Sequence, residues 1–259
     1  MSVISYLEEQ AKKAVMSQSE DNSIQTSILT LKKRLHLHFG DIREYIQFGS
    51  STRGTILPRS MDEHSDIDLM VVFNDSNVSS QTYLDRLRKF VEKYYKKSEV
   101  RQSHPTILLE LNHIRFELVP ARYSFWWGYE IPNIDGNWQS TDPVRFNKKL
   151  TEKNKNNDNL IKPTIRLIKY WNARNGYVFN SYSLEKNIVE MNYLWIQKNQ
   201  RDYLYRVFDK LDTDFDTKWR KNKMDRAKKI IEQVKFFERT SSMIQAEKEI
   251  RKLIPDQPA

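Results

Sequence analysis

Residues 48–73 read FGSSTRGTILPRSMDEHSDIDLMVVF, and the second part of this segment predicts a β-strand with acidic residues at its start. From position 66 to position 73, two carboxylates alternate with apolar residues and lead into an apolar run, as in a half-buried strand. Because residues i and i+2 of a strand point to the same face, Asp66 and Asp68 are expected about 7 Å apart on one side of a sheet. Two such carboxylates repel each other, and a hard divalent cation such as Mg²⁺, which prefers oxygen ligands, relieves that repulsion.

The sequence on either side of this pair supplies other groups that chemistry on phosphates requires. Gly49 and Ser50 follow a short β-like run, residues 45–48, and a glycine–serine turn lets backbone amides and a hydroxyl approach a phosphate. Downstream, Glu117 is the lone acid within residues 116–121, and a buried lone carboxylate is costly unless it is paired or binds a metal. An isolated Asp-x-Asp pair is usually a solvated strand end. Three carboxylates on adjacent strands beside a phosphate-holding turn indicate instead a two-metal phosphoryl- or nucleotidyl-transfer site.

Hydrophobic spacing predicts an α+β chain, in which helices and strands mix in the first half and helices alone fill the second. The predicted helices span residues 4–17, 24–39, 80–97, 160–175, 183–198, 201–211, 217–239 and 241–253. The predicted strands span residues 45–48, 66–73, 106–111 and 114–119, the last two as a hairpin. The polar segment 147–159 is interpreted as a connection between helices within one compact unit, with an interlobe linker or a charged helix end as the alternatives. The aromatic group at 125–129 is expected to be core beneath a loop.

The composition excludes several classes of protein. With 39% hydrophobic residues among 259, the chain can bury a core, so wholesale disorder is not expected. The chain has no cysteine, which excludes a disulfide scaffold, thiolate metal sites and cysteine nucleophiles. Its apolar runs are too short to span a bilayer, so we expect a soluble, cytoplasmic protein without membrane contact.

The charge is unevenly distributed along the chain. A formal net charge of +9 arises from 43 basic and 34 acidic side chains. Residues 1–80 are net acidic, whereas residues 141–180 carry nine basic and three acidic side chains. A solvated lysine-rich face is the ordinary interpretation of such an excess. The alternative is a surface that faces phosphates, which would suit both triphosphates and an activating RNA; the RNA activator is a hypothesis resting on charge alone.

Several of these segments resemble a known family. Residues 48–73 resemble the signature of the DNA polymerase beta type nucleotidyltransferase superfamily, and FELVPA, residues 116–121, resembles its third-carboxylate strand. The later segments are similar to those of the bacterial cyclic-oligonucleotide synthases of antiphage signalling, relatives of cyclic GMP-AMP synthase and oligoadenylate synthetase. They are, in order, WQSTDPVRFN, LIKPTIRLIKYWN, FNSYSLE and AEKEIRKLIP.

The resemblance implies a fold with two lobes. A polymerase beta-like nucleotidyltransferase lobe, a mixed sheet with flanking helices, would comprise residues 1–145 and pack on a helical lobe of residues 146–259. The active site would lie in the cleft between them. Asp66 and Asp68 would bind two Mg²⁺ or Mn²⁺ ions, with Glu117 as third ligand and candidate general base. Gly49 and Ser50 would hold the β- and γ-phosphates of the donor.

In the helical lobe, the resemblance assigns three further residues to the donor nucleotide. Lys169 would reach the triphosphate, Ser181 would add a hydroxyl to it, and Tyr182 would stack on the donor base. Packing is the alternative for all three, because lysines are ordinarily solvated and tyrosines ordinarily half-buried. The sequence departs from the family at Glu117, where an aspartate is usual, so that the carboxylate stands on a side chain that is longer by one methylene group.

The implied activity is the condensation of NTPs, ATP among them, into a cyclic di- or trinucleotide second messenger in antiphage defence. A downstream effector would respond to the product, and the enzyme is expected to be a monomer. A linear oligoadenylate synthase, an RNA 3′-end nucleotidyltransferase and a protein nucleotidyltransferase remain alternatives. So does a weakly active regulator of the same fold that binds RNA or nucleotides, for which Glu117 is the sequence hint. The bases used, the ring size and the 2′–5′ or 3′–5′ linkage are not written in local sequence.

Overall fold

The computed structural model describes residues 1–74, 78–96, 98, 100–103, 105–211 and 217–257, with the backbone alone at 100–103. The chain forms two compact units. The sheet unit comprises residues 17–59 and 64–148; the helical unit comprises residues 1–16, 60–63 and 149–259. The division into functional domains at residue 145 stays a prediction.

The helices and strands alternate in the first half of the chain and the second half is helical, as the hydrophobic spacing predicts. The helices are α1 (Val3–Lys13), α2 (Gln18–His38), α3 (Gly49–Arg53), α4 (Ser80–Tyr94), α5 (Arg145–Lys155), α6 (Ile161–Arg174), α7 (Ser181–Glu190), α8 (Gln200–Lys210), α9 (Lys218–Arg239) and α10 (Met243–Leu253). The strands are β1 (Ile42–Phe48), β2 (Asp66–Phe73), β3 (Val100–Ser103), β4 (Thr106–Glu110), β5 (Arg115–Ser124), β6 (Gly128–Pro132) and β7 (Trp138–Thr141). The end of the helix predicted over 80–97 falls at Lys97, outside the described residues.

The sheet is mixed, which confirms the predicted fold class. Its strand order is β1-β2-β5-β4-β3, with β6 added to β5 and β7 to β6. The central pair β2–β5 is parallel, whereas β1–β2, β3–β4 and β4–β5 are antiparallel. The hairpin predicted over 106–119 is therefore confirmed. Strand β5 runs on to Ser124 and pairs with β6, which the sequence did not indicate.

Helix α2, in the sheet unit, buries the apolar residues that recur at helical spacing in its sequence. Its residues Ile24, Ile28, Leu31 and Leu35 recur at helical intervals and are buried. The helix begins six residues earlier than predicted because the side chain of Ser17 accepts a hydrogen bond from the backbone N–H of Glu20. Helix α4 buries a similar stripe and packs against β4 and β5.

The aromatic residues at 125–127 correct one expectation. Phe125, Trp126 and Trp127 are 85%, 84% and 69% exposed at the turn between β5 and β6, so the prediction that they are core is wrong. Because β5 continues into a hairpin with β6, these residues occupy the tip, where no layer covers them.

Two further boundaries differ from prediction in the second half. Residues 145–155 form α5 instead of a connection, because lysine, glutamate and leucine favour helix and Leu150 is buried. Helix α7 ends at Glu190 and does not extend to 198. Beyond it, the side chain of Asn192 accepts a hydrogen bond from the backbone of Leu194, a local turn that competes with helix.

In the helical unit, the first helix of the chain packs against the last. Helix α1 packs against α6, α8 and α10. The buried hydroxyl of Tyr6 donates a hydrogen bond to the backbone oxygen of Ile254 at 2.7 Å. Among the helices that the structure describes, none is both long and apolar enough to cross a lipid bilayer.

Candidate active site

The parallel pairing of β2 with β5 brings the predicted carboxylates together. In the register of these strands, Asp66 lies beside Arg115 and Asp68 lies beside Glu117. Along both strands the buried residues alternate with these half-buried charged ones. Asp66, Asp68, Glu117 and Arg115 therefore project from the same face of the sheet at the start of the strands.

The backbone of Gly49 lies directly against this face. Gly49 begins α3 with a positive φ of 75°, a region that glycine enters without steric cost. A Cβ atom built at this position would lie 1.6 Å from Oδ2 of Asp68. Only a residue without a side chain allows α3 to approach the Asp68 carboxylate this closely.

Ser50 follows in the first turn of α3 and is largely buried. Its backbone oxygen accepts hydrogen bonds from the N–H groups of Thr55 and Ile56, at 3.0 and 3.2 Å. These contacts fix the turn that carries the Ser50 side chain. Within the described part of the chain, the hydroxyl of Ser50 has no hydrogen-bond partner.

The site changes the protonation of Glu117. Burial, together with the neighbouring charge of Asp66 and a hydrogen bond with Asp66, raises the pKa of Glu117 to about 7 against the opposing charge of Arg115. Below about pH 7 and without a cation, the Glu117 carboxyl is therefore held mainly in its protonated form.

A network of basic residues borders the cluster, and sequence reasoning missed it. Nε of Arg115 donates to Oε2 of Glu110 at 2.6 Å, and Nη1 of Arg59 donates to Oε1 of Glu110 at 2.8 Å. Nη2 of Arg115 lies 3.2 Å from Nδ1 of His64. Glu110 thus holds the Arg115 guanidinium beside Asp66 as a counter-charge. The sequence does indicate the position of Arg115, because this residue precedes Glu117 by two positions in a strand and therefore lies on the same face.

The donor atoms of the cluster fit a hard divalent cation in their chemistry. They are carboxylate oxygens, the ligands that Mg²⁺ prefers, and Asp66, Asp68 and Glu117 lie on one face of the sheet. No three His, Asp or Glu side chains in the described ranges converge closely enough to form a closed metal site. Mg²⁺ does not require one, since it uses one or two carboxylates and completes its shell with water and substrate phosphates.

The other three predicted residues lie in the helical unit. Lys169, on α6, is 7% exposed, and its Nζ lies 3.2 Å from Oε1 of the fully buried Glu185 on α7. Ser181 is the first residue of α7, and Tyr182 follows it with 53% of its surface exposed. The loop before them is fixed by Asn172, whose side-chain amide makes two hydrogen bonds of 2.9 Å with the backbone of residue 179.

Comparison with known proteins places the first part of the chain in a family. Residues 1–154 match the family described as Second Messenger Oligonucleotide or Dinucleotide Synthetase domain. A probable cyclic nucleotide synthase of Bacillus cereus strain VD146 is 32% identical over 187 residues. That alignment covers 57% of this chain and 55% of the relative, so the chain spans about half the length of the curated relative that it matches.

Solved structures share the fold over nearly the whole chain. The CdnC protein of Escherichia coli MS115-1, solved with ATP, matches with a TM-score of 0.71 at 14% identity, covering 98% of each chain. The CD-NTase CdnG of Bradyrhizobium diazoefficiens, solved with GTP, matches with a TM-score of 0.64 at 12% identity, covering 96% of this chain and 95% of that one. At these identities the likeness concerns the fold.

Proposed function

The chain belongs to the family of second messenger oligonucleotide or dinucleotide synthetase domains, and on that premise we propose that it condenses NTPs into a cyclic di- or trinucleotide. The observation that carries this proposal is the set of Asp66, Asp68 and Glu117 on one sheet face against the backbone of Gly49. All four residues fall within the region that matches the family.

The proposed chemistry is nucleotidyl transfer. A ribose hydroxyl oxygen forms a bond to the α-phosphorus of a donor NTP, the bond from that phosphorus to the β-phosphate bridging oxygen breaks, and pyrophosphate leaves. The attacking hydroxyl loses a proton, which we assign to Glu117 because its carboxylate borders Asp66 and Asp68 and its pKa is raised to about 7. A second transfer of the same kind closes a dinucleotide ring, and a third closes a trinucleotide ring.

Asp66, Asp68 and Glu117 would hold Mg²⁺ or Mn²⁺, and we expect two ions. When bound, these ions supply positive charge that acidifies the attacking hydroxyl and stabilises the leaving pyrophosphate. The packing of Asp68 against Gly49 and the position of Asp66 beside Arg115 support this role, because they hold both carboxylates at the start of the strand.

Gly49 and Ser50 would bind the β- and γ-phosphates of the donor. The Ser50 hydroxyl, which has no partner among the described residues, is available to donate to a phosphate oxygen. Lys169 would contribute through the remaining donors of its ammonium group, since a lysine has three and Glu185 engages one. The proposed roles of Ser181 on the triphosphate and Tyr182 on the donor base rest on the sequence resemblance, and the exposure of Tyr182 supports stacking.

The proposal extends to partners and biological role at the level of the family. ATP would be among the substrates, and the product would act on a downstream effector in antiphage defence. Activation by RNA is a separate hypothesis supported by the basic excess of residues 141–180. It predicts RNA binding that weakens steeply as salt is added, and salt-insensitive binding or none would contradict it.

Product analysis tests the proposed activity. The purified chain is incubated with the four labelled NTPs and Mg²⁺ or Mn²⁺, and products that resist phosphatase are separated and digested with linkage-specific nucleases. We expect a resistant product from wild type and none from Asp66→Asn/Asp68→Asn. The matched control Asp135→Asn/Asp225→Asn removes two exposed acids outside the cluster and should retain the product. A linear product would favour the oligoadenylate alternative, and equal behaviour of wild type and the Asp66/Asp68 variant would contradict the proposal.

A further inference from the structure

The helical unit contains a basin that the proposed reaction does not use. Its volume is about 300 Å³, and it is formed by the end of α6 with Asn175, residues 223–230 of α9, and the end of α10 with Pro255. Trp171, Ala227 and Leu253 form an apolar floor and are each at most 2% exposed. The basin shares no residue with the carboxylate cluster or with the residues proposed for the donor nucleotide.

The wall of the basin is strongly basic. Its five charged lining residues are all cations, namely Arg174, Lys223, Arg226, Arg251 and Lys252. No acidic side chain is found among the lining residues that the structure describes. The acidic segment 212–216, which precedes α9 in sequence, lies outside the described residues, so this charge count concerns the described lining alone.

Acidic neighbours hold two of these cations in place. The guanidinium of Arg251 pairs with Glu247 at 2.7 Å and with Asp256, and it lies over the ring of Tyr6 at 4.3 Å from its centre. Lys252 pairs with Glu249. These contacts fix the α10 side of the basin before any ligand arrives, so less side-chain entropy is lost on binding.

The cations on the opposite side lack such neighbours. Arg174, Lys223 and Arg226 form no ion pair with any other residue in the described part of the chain. Lys223 and Arg226 are one turn apart on α9, a spacing at which like charges repel. An anion seated between these side chains would relieve this repulsion.

We propose that this basin binds a small anion that carries two or more linked phosphates, either free or as the phosphate chain of a nucleotide. Several cations around one small concavity suit closely spaced negative charges, and arginine engages phosphate oxygens in pairs. The volume is at the lower end of the range for small-molecule sites and admits a compact ligand. A nucleic-acid strand would need an extended groove instead of a basin.

Calorimetry with inorganic tripolyphosphate in the presence of EDTA tests the proposal. The measurements use the full chain carrying Asp66→Asn/Asp68→Asn, so that residual metal cannot be held by the carboxylate cluster and bring tripolyphosphate to it. We expect saturable binding at one site per chain. Adding Lys223→Ala/Arg226→Ala should weaken it about tenfold or more, because charge-assisted hydrogen bonds are lost.

The matched control is Lys221→Ala/Lys229→Ala, which removes the same charge from exposed positions of the same helix outside the basin. This control should bind within about twofold of the parent, and the unfolding temperatures of both variants show that each is folded. Equal affinity for tripolyphosphate and ATP would identify the phosphate chain as the ligand, whereas tighter binding of ATP would identify a nucleotide. Absence of saturable binding, or equal weakening by basin and control substitutions, would overturn the proposal. RNA binding that the basin substitutions and the control substitutions weaken equally would also overturn the proposal, because it would indicate a general basic surface.

Discussion

Gly49 and Asp68 lie so close that a single carbon added to the glycine would sit 1.6 Å from the Asp68 carboxylate oxygen Oδ2. Strand β1 pairs with β2 so that Phe48 is opposite Asp68, and the next residue turns into α3 with a positive φ. The turn proposed to hold phosphate and the carboxylate proposed to hold metal are thereby fixed against each other.

Gly49→Ala should therefore lower activity by on the order of 100-fold while leaving the chain folded. The new methyl group must displace the Asp68 carboxylate, and misplacement by about 1 Å costs on the order of 100-fold in rate. Gly136→Ala is the matched control, because Gly136 has a similar φ of 78° but nothing within 4 Å of the added carbon. Both variants share the backbone penalty of about 1 kcal/mol in the free energy of unfolding, and only Gly49→Ala should lose turnover of NTPs. Equal activity of the two variants would contradict the close packing.

Glu117→Gln should change how stability depends on pH. In the folded chain without metal the pKa of Glu117 is raised to about 7, against an ordinary value of 4.5. Between these values the folded state binds more protons than the unfolded state, so stability falls as pH rises from about 4.5 through about 7, by at most about 3 kcal/mol. Because glutamine cannot ionise, Glu117→Gln should not lose this stability as the pH rises. Urea unfolding in EDTA should find the variant more stable than wild type at pH 8 and similar at pH 4.5.

The control for this pH dependence is Glu92→Gln, an exposed acid of the sheet unit. It should leave the wild-type profile unchanged. A wild-type profile that is flat between pH 5 and pH 8, or one that Glu117→Gln does not alter, would show that the Glu117 carboxyl is not held in its protonated form.

Divalent cations should stabilise the chain through the same cluster. Addition of Mg²⁺ to metal-free protein should raise the unfolding temperature of wild type, because the ion relieves repulsion among neighbouring carboxylates. The rise should be larger at pH 8 than at pH 5, since Glu117 must give up its proton before it can bind. Asp66→Asn/Asp68→Asn should show no rise. An equal rise in both proteins would place the ion elsewhere.

The buried pair of Lys169 and Glu185 should matter for stability as well as for activity. Glu185→Ala leaves the Lys169 ammonium buried without this partner and should lower the free energy of unfolding by about 3 kcal/mol. On the same helix, Glu190 pairs with Lys149 at the surface, and Glu190→Ala should cost less than about 1 kcal/mol. Denaturant unfolding of the two variants makes the comparison. Similar losses in the free energy of unfolding of the two variants would contradict the burial of the Lys169 ammonium group.

The features that could be predicted from sequence are those set by local periodicity. Strand β2 has the predicted bounds, because alternation followed by an apolar run is written within 66–73. The shared face of Asp66 and Asp68 follows from the same period of two residues. Helix α6 agrees within one residue of the prediction at each end for the corresponding reason.

The remainder depends on residues that are distant in sequence. The parallel register that sets Glu117 beside Asp68 is decided by how β2 and β5 pair, and the Arg59–Glu110–Arg115 network joins a loop to two strands. The exposed aromatic tip at 125–127 exists because β6 returns along β5, whereas apolar composition by itself indicates burial. Neither the pairing partner nor its register can be read from a single strand.

The measurement that tests the proposed cyclisation most directly is the ratio of pyrophosphate released to nucleotide incorporated in purified product. Ring closure expels a pyrophosphate for every nucleotide, so the ratio is one, and mass spectrometry finds no terminal triphosphate. A linear oligonucleotide keeps one triphosphate and gives a ratio below one. We predict a ratio of one for wild type, with no release above background for Asp66→Asn/Asp68→Asn. A ratio below one with a triphosphate end, or no incorporation with any NTP mixture, would contradict the proposed synthesis of a cyclic messenger.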